Sequence, residues 1–173
     1  MLERMRRGYN RHRYLDRVDK LRTHVPEIAL STDIIVGYPG ETRAEFQETL
    51  DFLQDVKFDQ VYSFIYSPRP GTAAQHEQDG VPTAEKQDRL AELQAVQQEI
   101  QLGRNRSLVG SRQEVLVDGS ARQGRGQLKG RSRSNRVVNF PGDCHRVGEF
   151  LQVFIESAGA NSLEGRIVPA SGA

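Results

Sequence analysis

The residues whose types and order could do chemistry lie in one short segment, from Ser31 to Thr42. A β-branched run, Ile34 to Val36, passes into Gly37-Tyr38-Pro39-Gly40, and Thr42 with Glu45 three residues later forms a helix-capping signal. This order predicts a strand that is buried on both faces of a parallel sheet, then a tight turn and a helix. Because α/β folds bind ligands at the carboxyl ends of strands, we expect a ligand at this turn.

The histidines and the single cysteine predict no metal site. His12, His24, His76 and His145 lack the HxxxH and HExxH spacings that place two imidazoles on one helix face. Cys144 is the one cysteine in 173 residues, and an iron–sulfur cluster requires several thiolates. We therefore interpret Cys144 as a loop thiol without a functional role.

A basic segment near the carboxyl end predicts contact with a polyanion. The net charge of +1 indicates no such partner by itself, but residues 120–136 contain six cationic side chains and no acidic ones. A patch of this kind neutralises phosphates and gives salt-sensitive binding to nucleic acid, although a solvated basic loop remains the alternative. The six are Arg122, Arg125, Lys129, Arg131, Arg133 and Arg136, with Ser134 and Asn135 available for hydrogen bonds.

The sequence up to about residue 70 predicts an α/β arrangement of alternating helices and strands, which would position the turn at Gly37–Gly40. This segment contains roughly two and a half βα units, whereas a closed barrel of eight units needs about 200 residues. We therefore expect an open fragment with exposed strand edges, marginally stable and prone to aggregate. The predicted elements are a helix from residue 10 or 11 to His24, a strand from about Ile28 to Val36, a helix capped by Thr42, and a strand from Val61 to Tyr66.

The remaining sequence predicts a connecting helix and a small barrel. Pro82 and Thr83 begin a long polar helix whose apolar stripe is narrow enough for packing on one side only. From about Gly110, five short apolar runs are separated by Gly, Pro and Ser, which is typical of an OB-like barrel.

Three blocks in this order resemble the radical-SAM methylthiotransferases, and the carboxyl-terminal runs resemble a TRAM domain, an RNA-binding module. The blocks are Met5–Tyr9, Thr32–Thr42 and Tyr62–Thr72; the TRAM-like strings are Leu128–Ser132, Asn135–Phe140, Val147-Gly148 and Asn161–Gly165. The resemblance implies part of a radical-SAM, TIM-like barrel in residues 1–72, a loop and connecting helix in residues 73–107, and an all-β, OB-like TRAM barrel in residues 108–170.

The family uses S-adenosylmethionine and two 4Fe-4S clusters, and it holds the radical-generating cluster with a CxxxCxxC motif. That motif is absent from this chain. The resemblance therefore implies a C-terminal fragment that is inactive alone, with a missing N-terminal, cluster-bearing half as a partner.

The resemblance also implies two sets of site residues. The expected cofactor contacts surround the turn, where Asp33 and Glu41 have the alternative role of bracing it. The expected RNA contacts combine a loop arginine with the basic segment. The cofactor set is Asp33, Ile35, Val36, Gly37 and Glu41; the RNA set is Arg69, Lys129, Arg131, Arg133, Asn135 and Arg136.

Within the family, the carboxyl-terminal strings favour the subgroup that converts N6-isopentenyladenosine at tRNA position 37 to its 2-methylthio derivative, over the subgroup that modifies a ribosomal protein. The expected partner is the anticodon stem-loop of tRNA. A stand-alone, non-catalytic RNA-binding TRAM protein remains the alternative. No stretch of about 18 apolar residues occurs, so we expect a soluble, cytoplasmic monomer with no membrane partner.

Overall fold

The computed structural model describes residues 1–77, 80–121 and 126–169, and the chain divides into two compact units, Met1–Ile100 and Gln101–Ala173. The first unit is a small α/β arrangement, and the second contains a closed β-barrel. The division falls within a long helix, α3 (Thr83–Arg106), which starts where Pro82 and Thr83 predict. The predicted division into residues 1–72, 73–107 and 108–170 stays a prediction.

The first helix, α1 (Arg11–His24), begins and ends at local signals. Asn10 is its N-cap, because the side-chain oxygen of Asn10 accepts a hydrogen bond of 2.9 Å from the backbone N–H of Arg13. The helix ends at His24, and Val25 is its C-cap, since a residue that precedes a proline disfavours helical geometry. The predicted helix is confirmed.

Two parallel strands, β1 (Ser31–Val36) and β2 (Gln60–Ile65), flank the helix α2 (Arg43–Val56) in a βαβ arrangement. β1 begins three residues later than the predicted start at Ile28. Two strands do not make a barrel, so a partial radical-SAM barrel is not evident and the first unit is a small α/β part. Its core consists of Val18, Val36, Phe46, Leu50, Leu53, Val56, Phe58, Val61 and Leu93.

The prediction that the Ile34–Val36 run is buried on both faces is wrong. Val36 is fully buried in the core, whereas Ile35, which points to the opposite face, is 38% exposed. Its neighbour across the sheet is Phe64, which is 54% exposed. The β-branched run therefore covers the core with one face and leaves the other open.

The predicted capping box at the start of α2 is confirmed. The Thr42 hydroxyl accepts a hydrogen bond of 3.2 Å from the Glu45 backbone N–H, and the Glu45 carboxylate accepts one of 2.9 Å from the Thr42 backbone N–H. The hydrogen bond from the Thr42 backbone, then the guanidinium of Arg4, lower the pKa of Glu45 from 4.5 to about 2. The cap thus depends on an ionised carboxylate.

We expect the stabilisation from Glu45 to be complete above pH 4.5 and to disappear as the pH falls toward 2, because the carboxyl pKa is lower in the folded chain than in the unfolded chain. Glu45→Gln should lower the free energy of unfolding at pH 7 and change it little near pH 2. Denaturation followed by circular dichroism at several pH values measures this difference. An equal difference between the two proteins at all pH values would contradict the assignment.

The predicted OB-like barrel is confirmed, with five strands closed in the order β3-β4-β5-β7-β6. All neighbouring pairs are antiparallel except β5 and β7, which are parallel. Gly130 permits a close strand crossing, since a Cβ there would lie 2.4 Å from the Leu116 carbonyl oxygen. The strands are β3 (Arg112–Ser120), β4 (Gln127–Ser132), β5 (Val137–Pro141), β6 (Phe150–Ala158) and β7 (Leu163–Ile167).

The barrel interior is apolar, as the alternation of buried and exposed positions along its strands requires. Within the described ranges, no helix is both long enough and apolar enough to cross a membrane. The interior side chains are Val115, Val117, Leu128, Val138, Phe140, Leu151, Val153, Ile155 and Leu163.

Candidate cofactor turn and nucleic-acid interface

The turn after β1 is fixed by two glycines in the left-handed region and by a buried carboxylate. Gly37 and Gly40 have φ angles of +69° and +71°, which residues with a Cβ rarely adopt. One Glu41 carboxylate oxygen, Oε2, accepts a hydrogen bond of 2.7 Å from the Gly37 backbone N–H. The Glu41 side chain therefore links the end of the turn back to its first residue, Gly37.

Glu41 also forms a buried ion pair with Arg89 of α3. Arg89 Nη1 lies 2.7 Å from Glu41 Oε2 and donates a second hydrogen bond of 3.0 Å to the Glu41 carbonyl oxygen. Both side chains are only 3% exposed, and Arg89 also pairs with Glu85 one helical turn earlier. This geometry supports the bracing alternative for Glu41, because its carboxylate is buried and engaged within the protein.

The space beside Gly37 is occupied by Lys86. A Cβ on Gly37 would lie 2.4 Å from Lys86 Cγ, so the glycine admits the lysine stem. Lys86 is 4% exposed, and its Nζ lies 5.6 Å from the centre of the Tyr66 ring. The Val36 side chain is in the core. The structure therefore gives Val36 and Gly37 packing roles and Glu41 a bracing role at the turn, and the contact of these three residues with a cofactor stays a prediction.

Sequence reasoning did not identify Lys86 and Arg89 as part of the turn. The signal was present, because Lys86, Arg89, Leu90 and Leu93 have the i, i+3, i+4, i+7 spacing of one helix face. Two cations on an otherwise apolar face indicate buried partners, which are here the Tyr66 ring and the Glu41 carboxylate.

The other two predicted cofactor residues, Asp33 and Ile35, lie together on the open face of the sheet. The register pairs Asp33 with Tyr62 and Ile35 with Phe64, and cross-strand partners place their side chains on the same face. Tyr62 is 52% exposed and Phe64 is 54% exposed. The face offers an apolar and aromatic surface with one carboxylate at its edge, which is suited to a flat ring with polar substituents.

In the barrel unit, Lys129 and Arg131 alternate along β4 with buried neighbours and so point outward. Arg131 Nη1 donates a hydrogen bond of 3.1 Å to the Asn135 carbonyl oxygen, and Arg131 Nε lies 3.5 Å from Asp118. Within the residues that the structure describes, Lys129 makes no ion pair. The adjacent Arg133 is paired with Glu114 at 2.8 Å, although its side chain is 83% exposed.

The turn between β4 and β5 presents Asn135 to solvent. Its φ angle is +60°, a region in which asparagine is tolerated better than most residues. Backbone hydrogen bonds of 2.8 Å from Asn135 N–H to Ser132 and of 3.0 Å from Ser132 N–H to Arg136 hold the turn. The backbone of Asn135 is therefore held in this turn, and its exposed side chain lies on the same strand and turn as Arg131 and Arg133.

Arg136 has a structural partner. Its guanidinium donates to the side-chain oxygen of Asn105, which is 2% exposed and donates hydrogen bonds of 2.7 and 3.0 Å to the carbonyl oxygens of Gly159 and Ala160. Asn105 thus joins the end of α3 to the β6–β7 connection, and Arg136 joins the β4–β5 turn to Asn105, so the Arg136 guanidinium is already engaged within the barrel unit. Arg122 and Arg125 lie outside the described residues.

Arg69 belongs to the first unit, in the loop after β2, and its side chain is exposed. Its carbonyl oxygen accepts a hydrogen bond of 2.8 Å from the Thr72 hydroxyl, which fixes the local backbone. The structure places Lys129, Arg131, Arg133 and Asn135 together on one strand and turn, whereas Arg69 belongs to the other compact unit.

The residues present do not fit an iron–sulfur cluster. Cys144 is the sole thiol of the chain, and three or four thiolates are needed. Its neighbours Asp143 and His145 bring their ligand atoms within 4.8 Å of it, but all three side chains are exposed. Asp143 mainly caps the local turn through a hydrogen bond of 3.1 Å from the His145 N–H.

Comparison with known proteins connects both units to one kind of enzyme. Residues 106–168 match the TRAM domain family. The chain is 47% identical over 173 residues to a tRNA-2-methylthio-N(6)-dimethylallyladenosine synthase of Halorhodospira halophila, covering 99% of this chain and 36% of that protein.

Two further relatives bear the same name. The match to the protein of Moorella thermoacetica has 45% identity and covers 97% of this chain and 38% of the relative; that of Xanthomonas euvesicatoria has 47% identity and covers 96% and 34%. The chain thus spans about a third of the length of the curated relatives that it matches. Over almost its whole length the chain is similar to the C-terminal region of these tRNA methylthiotransferases, and its residues 106–168 match a TRAM domain.

Proposed function

We propose that this chain is the tRNA-binding C-terminal region of an enzyme that converts N6-isopentenyladenosine at tRNA position 37 to its 2-methylthio derivative by radical-SAM sulfur insertion. The observation that carries the proposal is the 47% identity over 99% of the chain to a synthase named for this product. The outward cations on β4 support the RNA-binding part independently of that identity.

The barrel would bind the anticodon stem-loop through its basic strand and turn. Lys129 and Arg131 would contact phosphates, which supply most of the affinity and none of the sequence information. The exposed amide of Asn135 can both donate and accept hydrogen bonds, so it is suited to a base edge or a 2′-hydroxyl.

The first unit would be a segment of the radical-SAM barrel, with its open sheet face turned toward the cofactor. Asp33 would accept a hydrogen bond from S-adenosylmethionine, and Ile35 with Phe64 would provide the apolar surface for its adenine. S-adenosylmethionine would supply the radical that begins sulfur insertion. The residues of this chain would bind and orient it and would exclude water.

Catalysis would require a cluster-bearing N-terminal half, because one cysteine cannot hold a 4Fe-4S cluster. The same observation favours the second candidate, a stand-alone RNA-binding TRAM protein. Supplying the cluster-bearing half of a relative and measuring methylthiolation of tRNA that carries N6-isopentenyladenosine distinguishes the two. Activity that appears only when both parts are present supports the first candidate, and RNA binding without activity supports the second.

We expect the chain to bind an anticodon stem-loop RNA with an affinity that falls linearly with salt on a double-logarithmic scale. Fluorescence anisotropy with labelled RNA at several salt concentrations measures the slope. Polyglutamate, which offers charge without bases or sugar, should compete poorly. Absence of RNA binding at low salt, or equal competition by polyglutamate, would contradict the proposal.

A further inference from the structure

Phe150, the first residue of β6, is 67% exposed, which is the largest exposed fraction among the large apolar side chains of the described residues. A strand residue with so much apolar surface in water contributes little to folding. Within the described part of the chain, its ring contacts neither another ring nor a cation. Single exposed apolar side chains are common on protein surfaces, so the neighbours of Phe150 decide whether its exposure has a function.

Phe150 belongs to a row of outward side chains that crosses three strands. The register pairs Leu116 of β3 with Phe150 on one side and with Arg131 of β4 on the other. Cross-strand neighbours lie about 5 Å apart and share a face. The next residues, Val115, Val117 and Leu151, point into the barrel. Phe150 therefore lies on the same outer surface as the basic strand β4.

The charges around this row suit a nucleotide. Arg131 lies 3.5 Å from Asp118, and Arg146 pairs with Glu149 at 2.9 Å. The negative charges of Asp118 and Glu149 are therefore balanced by neighbouring arginines. Lys129 adds a positive charge along β4. An aromatic ring beside cations is the arrangement by which OB-like barrels hold single-stranded nucleic acid, with the base on the ring and the phosphate on the cation.

Phe154, four residues further along β6, provides a contrast. Its ring is partly buried, and the Arg166 guanidinium lies 5.3 Å from the ring centre. That cation covers one face of the ring from the neighbouring strand β7. The two phenylalanines of β6 thus differ, because one has a ring face already covered and the other has its ring left in water.

We propose that Phe150 is a stacking platform for an unpaired base of RNA, whose adjoining phosphates contact Arg131 and Lys129. This inference rests on the proposed RNA binding by the barrel and adds a base-binding position outside the basic strand. A leucine at this position keeps the apolar bulk but removes the flat ring, whereas a tyrosine keeps the ring.

Phe150→Leu should weaken binding of a single-stranded oligoribonucleotide by about tenfold, and Phe150→Tyr should bind like the unchanged protein. The slope of affinity against salt should stay the same in both variants, because no phosphate contact is removed. An oligoribonucleotide containing 2-aminopurine reports stacking directly, since its fluorescence should fall on binding to the unchanged protein and less with Phe150→Leu. Circular dichroism checks that each variant is folded.

The outcomes separate this inference from the proposed function. If Phe150→Leu binds with unchanged affinity and quenching while removal of the Lys129 and Arg131 charges weakens binding, stacking on Phe150 is refuted and RNA binding by the barrel stands. If the unchanged protein binds no RNA, the proposed function fails and the inference falls with it. An equal loss of affinity for Phe150→Leu and Phe150→Tyr would also refute stacking.

Discussion

Glu41→Ala is expected to lower the free energy of unfolding of the first unit by about 3 to 5 kcal/mol, because breaking a buried ion pair leaves an uncompensated charge. Of its two carboxylate partners Arg89 would keep only Glu85, whose side chain is 45% exposed, while its hydrogen bond to the backbone carbonyl oxygen of residue 41 would remain. The Gly37 backbone N–H would also be left without its acceptor. Urea denaturation followed at 222 nm measures the effect, since the helices of this unit dominate that signal.

Glu48→Ala is the matched control, because Glu48 is an exposed carboxylate on α2, the helix that follows the turn. A surface substitution of this kind should change stability by about 0.5 kcal/mol or less. Equal stability of the two variants would show that Glu41 does not brace the turn. Intact stability of Glu41→Ala, together with failure of the assembled enzyme to bind S-adenosylmethionine, would instead restore Glu41 as a cofactor residue.

Replacing Lys129 and Arg131 together by alanine is expected to weaken binding of the anticodon stem-loop by about 10- to 100-fold, since each substitution removes a charge-assisted hydrogen bond to phosphate. The slope of log affinity against log salt should decrease by about one for each phosphate that the variant no longer neutralises. Anisotropy titrations of the variant and the unchanged chain at matched salt concentrations provide both quantities.

Arg17→Ala combined with Lys20→Ala removes the same net charge from exposed positions on α1, outside β4. It should leave the salt slope unchanged. Similar reductions of affinity in both double variants would indicate general electrostatic attraction to the chain and would contradict a defined surface on β4. We leave Arg136 out of the RNA-binding variant, because its contact with Asn105 means that substitution would also disturb the barrel.

Sequence predicted the parts of the fold that depend on local signals. The capping box of Thr42 and Glu45, the proline after α1 and the apolar alternation of the barrel strands each act within a few residues. Helix starts and strand order along the chain follow from such signals without knowledge of distant contacts. The start of β1 is less well determined by the sequence, since Ile28 to Leu30 are apolar enough to continue a strand.

The roles of individual side chains depend on distant partners. Glu41 and Arg89 are 48 residues apart, and nothing near Glu41 in the sequence indicates a buried cation. The contact of Lys86 with Gly37 also joins residues that are distant in the sequence, and so does the hydrogen bond between Arg136 and Asn105, which are 31 residues apart. From sequence alone, a charged residue in a turn or strand can therefore be taken for a ligand-binding residue when it in fact pairs with a residue that is distant in the sequence.

Which sheet face is open likewise follows from tertiary packing. The β-branched run at Ile34–Val36 is compatible with burial on both faces, but in this chain helices cover only the face that holds Val36. The exposure of Phe150 is a similar case, because the sequence places it in a strand without indicating whether a neighbour covers its ring.

The central claim, that the outer surface of β4 and the following turn binds tRNA, is tested most directly by photo-cross-linking. A tRNA substituted with 4-thiouridine is irradiated with the full chain, and cross-linked peptides are identified by mass spectrometry. We predict cross-links in peptides from residues 126–140 and at Phe150. Cross-links confined to the first unit, or none at a salt concentration where binding is saturated, would contradict the claim.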